Sequence, residues 1–402
     1  MSLCLLTGCV TPIMLGPPRV PVYANAEAKA DAQIALLRQV WAQVDRRFYD
    51  ANFQGADWAT AVDRYREAAA AAPDTDALYD VINEMLGELN DAHTGAMTPR
   101  EAWEEYTEER AYVGVNLERV CDRWVVVELR PGSAAQEAGV RAGWIAVARD
   151  GETLPEEGFS FRSEMGETYR WTFLDEANHE REVLLTARTL PTPMPPEERR
   201  AEPEGWVYLR FDEFKSENQR WLRQRLAANR EAPGIVLDLR QNSGGAVYLL
   251  ERIINDFFPH RVAYGAFVSR QGRRADEKSA WLPGVSYDGP LVVLIGPGSA
   301  SAAEILAHVM KHYGRAQLVG RTTAGVVVSS RFRRLRDGGK LQIGMSDYQS
   351  LDGTRLEGNG VEPDVVVERT LGDLRAGVDP DLDAALAILR AGKAEASRSS
   401  VQ

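Results

Sequence analysis

The sequence predicts an α/β protein: a core on a mixed or mostly parallel sheet, preceded by a helical segment and a mostly β segment. Three observations carry this. From residue 206 onward short apolar runs alternate with helical stretches, the pattern of strands joined by crossover helices. From Glu27 to Arg47 the chain is dense in Ala, Leu, Gln and Arg, with Ile34, Leu37, Val40, Trp41 and Val44 at helical spacing. Between these regions, residues 110–190 alternate apolar and polar in steps of two. A length of 402 residues suits two or three domains.

Taken in order, residues 27–105 read as helical. A first helix covers 27–47, a second about 58–72 and a third about 76–89, with Pro73-Asp74-Thr75 as stop and N-cap. The third ends in the polar turn NDAHTG at 90–95. In the next segment, alternation at 113–120 and 124–129 marks strands. Pro131-Gly132-Ser133 and the residues after it read as a turn, a short helix and a return strand. The Pro- and Glu-rich stretch from Thr189 to Gly205 reads as a linker or exposed crossover. The core then runs strand 206–211, helix 216–230, strand 234–240, helix 246–257, strand 290–295, helix 301–313 and strand 316–320. Asp337-Gly338-Gly339 signals a hairpin between the runs that follow.

A formal net charge of −12 leaves no basic surplus to neutralise phosphates and argues against nucleic acid as a partner. Three cysteines, Cys4, Cys9 and Cys121, make neither a disulfide framework nor a metal cluster. No apolar run reaches 18 residues, so none reads as a membrane span. Residues 5–9, LLTGC, have the shape of a lipoprotein signal ending in a cysteine to be lipidated, and the Pro-rich 11–22 suits a tether. The segment before them is short and lacks a basic region, so it reads as a remnant rather than a complete signal peptide.

The chemistry centres on GPGSASAAE at 296–304, where an apolar strand runs into Gly, Ser and Ala. Ser301 falls where a helix begins. The N–H groups of that first turn have no partner within the helix and suit a developing oxyanion. Gly244 and Gly245, after another strand, offer a second donor. A serine at a helix start is more often simply an N-cap, and a nucleophile needs a base. His93, in its polar turn, is the best candidate among five histidines; His179 and His260 look bland. Glu304, His308 and His312 form a stripe on one helix face with metal-like spacing. It lacks the internal glutamate of HExxH and any cysteine, so it reads as a solvated or core face, and no metal is assigned.

Four blocks then occur in order: VLDLRQNSGG (236–245), GSASAAEI (298–305), GRAQLVGRTTAG (314–325) and EGNGVEPD (357–364). Together they resemble the serine peptidases of the C-terminal-processing (tail-specific) and tricorn-core family, and residues 110–188 resemble the PDZ domain many of its members carry. The resemblance implies a crotonase-like (ClpP/crotonase) spiral core, no cofactor, and a polypeptide substrate, unstructured or ending in an apolar residue. The LLTGC segment, read as a lipoprotein remnant, implies a bacterial envelope location, periplasmic, with a lipid anchor through Cys9. The implied domains are 1–26 signal remnant and tether, 27–109 helical, 110–188 PDZ-like, 189–205 linker, 206–375 peptidase core, and 376–402 C-terminal helix and tail.

Residue by residue, Ser301 matches the family nucleophile, and Gly244, Gly245 and the amide of Ala302 its oxyanion hole. The tail-specific branch carries a lysine base downstream, but Val326 stands there, in ThrAlaGlyVal at 323–326, and a valine takes no proton. Lys311 and Lys340 lie elsewhere in the pattern. The tricorn-like branch uses histidine and glutamate, which His93 and Glu357 match. Histidine titrates near neutral pH and a carboxylate fixes its tautomer. Ala92 replaces that branch's auxiliary serine; Asn359 and Glu362 lie near Glu357. In the PDZ-like segment Tyr112, Val113, Gly114 and Val115 resemble the loop that receives a peptide carboxylate, while Trp144 replaces a common aspartate and would alter or partly fill the groove. The expected activity is a serine endopeptidase. The rivals are a non-catalytic peptide-binding member of the family, and a metal-dependent hydrolase on Glu304, His308 and His312.

Overall fold

A computed structural model of the chain describes residues 22–107, 109–156, 163–191, 194–201, 203–281 and 287–399. Cys4, Cys9 and most of the N-terminal tether lie outside these residues. The chain forms two compact units, one of residues 1–108 with 330–345, the other of 109–329 with 346–402.

In the first unit the helix Ala26–Arg47 starts where the Asn25 side chain accepts the Ala28 N–H at 2.8 Å, and buries Leu36, Leu37, Val40 and Val44. The expected second helix is two, Trp58–Arg64 and Arg66–Ala71, broken at Tyr65 with φ −92° and ψ −2°. The helix Thr75–Gly87 is capped by Asp74, as read from sequence. After it comes a short strand, Gly95–Met97, that sequence did not suggest. It pairs antiparallel with 340–342, and the Asn83 side chain both donates to and accepts from the Ala96 backbone. A further helix, Pro99–Thr107, follows. The hairpin expected at Asp337–Gly339 forms between the strands Ser329–Arg334 and Lys340–Gln349.

In the second unit, five strands lie in the order 115–120, 123–129, 145–149, 168–174, 180–186, each antiparallel to its neighbour. Trp171 and Phe173 stack at 5.6 Å in their core. The stretch read as a linker instead holds the end of the strand Arg188–Pro191 and the edge strand Glu197–Ala201, antiparallel to Trp206–Arg210. Its prolines limit the length of these strands without preventing edge pairing.

The main sheet then runs Trp206–Arg210, Ile235–Asp238, Leu291–Ile295, Gln317–Gly320, Val365–Val366, all parallel. Both faces are covered, which is why these strands read as unbroken apolar runs. Ile235, Leu237, Leu291, Val293 and Ile295 pack with the helices Ser216–Ala228, Val247–Phe257 and Ala302–His312. Val236, Val292 and Leu294 face Ala385 and Leu389 of the helix Pro380–Ser399. A hairpin of Ala263–Ser269 and Arg274–Lys278, also not expected, pairs with 346–349.

Candidate active site

Two adjacent parallel strands, Ile235–Asp238 and Leu291–Ile295, end side by side, and the turns they release meet. The two serines of 298–301 part company here. Ser299 is fully buried: its hydroxyl donates to the Leu239 carbonyl at 2.7 Å and accepts the Gly296 N–H at 3.1 Å, which ties the turns together. Ser301 is half-buried and starts the helix Ala302–His312 with φ 56° and ψ −118°. A non-glycine residue reaches that region only when its surroundings hold it there. The neighbouring N–H groups, of Ala302 at the helix start and of Gly245, find no acceptor among the described residues.

The glycine pair divides its work. Gly244, at φ +89°, lies so close that a Cβ on it would fall 2.7 Å from Ser301 Cβ, so the approach of the two turns requires glycine. Its own N–H is already taken by Asn242 Oδ1 at 2.9 Å, which leaves Gly245 as the donor free to meet a ligand. Asn242 is fully buried, and its amide also donates to the Phe211 carbonyl at 2.7 Å. Behind this turn Arg240 is ion-paired to Asp238, Asp379 and Asp381. Burial pushes the Asp238 carboxyl up, but Arg240 overrides it and holds it at about 2.

The residue that sets the Ser301 backbone is Glu304, a role the sequence reading did not give it. Its carboxylate is fully buried and accepts four hydrogen bonds, from Ser301 N (2.9 Å), Val326 N (2.9 Å), Gly325 N (2.7 Å) and Thr323 Oγ1 (2.6 Å). Burial pushes this carboxyl above its ordinary value against the pull of those donors. The signal was present: Ser301-x-x-Glu304 is a capping-box spacing. Because Glu304 is occupied in this way, the metal-hydrolase stripe loses its first member.

Val326, at the position expected of a lysine, acts through its backbone: its carbonyl accepts from Ser301 N at 2.9 Å. The next two amides, Val327 and Val328, donate to Glu357 Oε2 at 2.7 and 3.0 Å. The structure therefore brings the half-buried Glu357 and Ser301 onto the same short segment. Gly358 N–H to the Gly325 carbonyl and Val361 N–H to Thr323 Oγ1 hold the two loops together. Asn359 turns its amide back to the Arg355 carbonyl. The two lysines are committed elsewhere, Lys311 to the Glu362 carbonyl and Asp364, Lys340 to Glu105.

His93 belongs to the first unit. Its backbone N–H donates to Asp91 Oδ1, and Thr94, bonded to Asp91, accepts the Gly344 N–H at 3.0 Å, so the turn is stitched at both ends. Burial pulls the imidazole below its ordinary value, with Asp91 opposing, and its Nδ1 is buried without a hydrogen bond among the described residues.

In the antiparallel sheet that begins with 115–120, that strand lies at the edge. The loop before it is rigid: the Val113 carbonyl accepts Ala135 N–H at 3.1 Å and the Gly114 carbonyl Arg130 N–H at 2.9 Å, with Gly114 at φ +96° against Ser133. Tyr112 Oη donates to the Val115 carbonyl. Trp144 packs in the same apolar cluster as Val113 and Val115, its indole N–H on Glu176.

Residues 205–367 match the model of peptidase family S41, and residues 35–87 that of the tricorn protease C1 domain. A carboxyl-terminal-processing protease of Synechocystis sp. is 27% identical over 388 residues, 91% of this chain and 88% of that protein. One from Picosynechococcus sp. is 29% identical over 385 residues, 90% of this chain and 91% of its own. Among solved structures, the photosystem II D1 C-terminal processing protease superposes with a TM-score of 0.63 at 24% identity, covering 89% of this chain and 97% of that one, a likeness of fold.

Proposed function

We propose that this chain, a serine peptidase that belongs to peptidase family S41, cleaves unstructured or C-terminal polypeptide segments through an acyl-enzyme on Ser301. The observation that carries the assignment is the backbone of Ser301: a half-buried serine held at φ 56° beside two uncommitted N–H groups. Strain of this kind persists where the surroundings over-determine it, and it presents a hydroxyl at a strand-to-helix corner.

In this reading Ser301 Oγ attacks the substrate carbonyl carbon while its proton passes to the His93 imidazole. The oxygen becomes an oxyanion and is received by the N–H groups of Gly245 and Ala302, with Gly244 shaping the approach rather than donating. The imidazolium returns its proton to the leaving amine. Water then repeats the sequence, freeing a new carboxylate and Ser301. Glu357 orients the imidazole. What supports His93 is the match of its AspAlaHisThr block to the tricorn branch, together with burial that keeps the ring neutral and able to accept a proton. Val326, and the engagement of Lys311 and Lys340 elsewhere, favour histidine over a lysine base.

Residues 206–375 are the crotonase-like core in this account, residues 27–109 the helical domain and 110–188 a PDZ-like reader. The open edge of 115–120 and the Tyr112–Val115 loop suit addition of a peptide strand with its carboxylate at the loop. An envelope location, with a lipid on Cys9, completes the proposal.

The test is cleavage of a disordered polypeptide with an apolar C-terminus, with fragments mapped by mass spectrometry. Wild type should cut it, and Ser301→Ala and His93→Ala should not. Cleavage that survives in Ser301→Ala overturns the assignment. A folded wild type that binds the polypeptide without cutting it points to the non-catalytic peptide reader.

A further inference from the structure

The helix that begins at Ser301 ends in a second cluster of chemically capable side chains. His308 and His312, four residues apart, project from the same face of the last turns of Ala302–His312, with ring centroids 6.0 Å apart. Asp352, from the turn after the strand Lys340–Gln349, meets them. One ligand atom from each of the three lies within 4.8 Å of the others. Sequence spacing offered Glu304 as the third member of this stripe; the fold supplies Asp352 instead.

Three features set this cluster apart from a chance meeting of polar groups. His308 is 6% exposed, and its Nε2 is buried with no hydrogen-bond partner among the described residues. That nitrogen faces Asp352 Oδ1 at 3.6 Å, too far for a hydrogen bond. The carboxylate is aimed from behind, its Oδ1 accepting Ser350 Oγ at 2.8 Å and Thr354 N–H at 3.0 Å, the kind of outer support that metal-bound carboxylates use.

We propose that His308, His312 and Asp352 form a binding site for a divalent transition metal ion, zinc above all. Two imidazoles and one carboxylate are a zinc donor set, with a fourth position left to water, and a histidine pair at i, i+4 is a natural chelate on a helix. The site lies at the negative end of the helix dipole, which favours a cation. The ion ties the turn Ser350–Thr354, whose Asp352 lies five residues before Glu357, to the far end of the helix that carries Ser301. It serves as a clamp on the fold and takes no part in the peptide-bond chemistry, so the inference stands or falls independently of the peptidase mechanism.

The experiment uses the full chain without a polyhistidine tag, equilibrated with Zn2+ and passed through gel filtration, with bound metal measured by elemental mass spectrometry. Wild type should retain one equivalent, and Co2+ in its place should give visible ligand-field absorption. His312→Ala and Asp352→Asn change exposed side chains, so both should fold normally by circular dichroism while weakening binding about a hundredfold or more. Ser350→Ala, which removes an orienting bond, should weaken it about tenfold to a hundredfold. A wild type that retains no zinc overturns the proposal. So does zinc retained undiminished in both His312→Ala and Asp352→Asn.

Discussion

Replacing Glu304 by glutamine tests how Ser301 is held. The carboxylate offers two oxygens to four donors, and it is fully buried. Glutamine keeps one acceptor oxygen and puts an NH2 group where the other was. If the oxygen stays with Ser301 N and Val326 N, the Thr323 hydroxyl turns to accept from the amide and the Gly325 N–H is orphaned. If the amide reverses, Ser301 N keeps only the Val326 carbonyl and Val326 N is orphaned. In either arrangement one buried donor is orphaned, a loss of about 1–3 kcal/mol, partly offset because a buried charge is also removed. The Ser301 backbone shifts with its anchor, and a displacement near 1 Å slows the reaction on the order of a hundredfold. A second readout separates positioning from packing. Burial raises the Glu304 carboxyl, so the folded chain binds that proton more tightly than the unfolded one. Wild type therefore loses stability as pH rises from the ordinary glutamate range through the raised value, and Glu304→Gln removes that slope. Urea titrations across pH and the rate of fluorophosphonate labelling measure both. A variant within about 0.5 kcal/mol of wild type that labels at the wild-type rate refutes the reasoning.

Three further outcomes follow from the same geometry. Because burial holds His93 below its ordinary value, near 6.5, the acid limb of kcat/KM should fall below that pH; a limb at or above it contradicts a buried base. Gly244→Ala puts a methyl 2.7 Å from Ser301 Cβ at φ +89°, and should cost about a hundredfold or more in kcat, read by peptide cleavage with the fold checked by circular dichroism. Lys311→Met and Lys340→Met should leave labelling of Ser301 unchanged, whereas loss of labelling in either folded variant would reinstate a lysine base.

Much of this architecture was legible because it is local. The strands at 206, 235, 291 and 317 are apolar runs bounded by Gly and Pro, and the helices between them carry clear spacing. What escaped depends on partners far along the chain. Gly95–Met97 and Val365–Val366 are strands only because 340–342 and Gln317–Gly320 lie beside them. Arg274–Lys278, polar but for Ala275, has no alternation to betray it. The break at Tyr65 interrupts a stretch of good helix formers that no Gly or Pro punctuates. At the site, small residues flagged Ser301 and the glycine pair, but that Asn242 occupies the Gly244 N–H is a matter of side-chain placement. Asp352 joins His308 across 44 residues, beyond the reach of any spacing rule. Glu304 sat in view, in a capping box, with its burial hidden until the loop 323–326 closed over it.

The proposed mechanism turns on Ser301 being an activated nucleophile. The most direct measurement is reaction of the folded chain with a fluorophosphonate, with the adduct located by intact mass and peptide mapping, on wild type, Ser301→Ala and His93→Ala. One adduct per chain on Ser301 is expected, absent from Ser301→Ala and strongly slowed in His93→Ala. A folded wild type that stays unmodified, or an adduct on another serine, would contradict it.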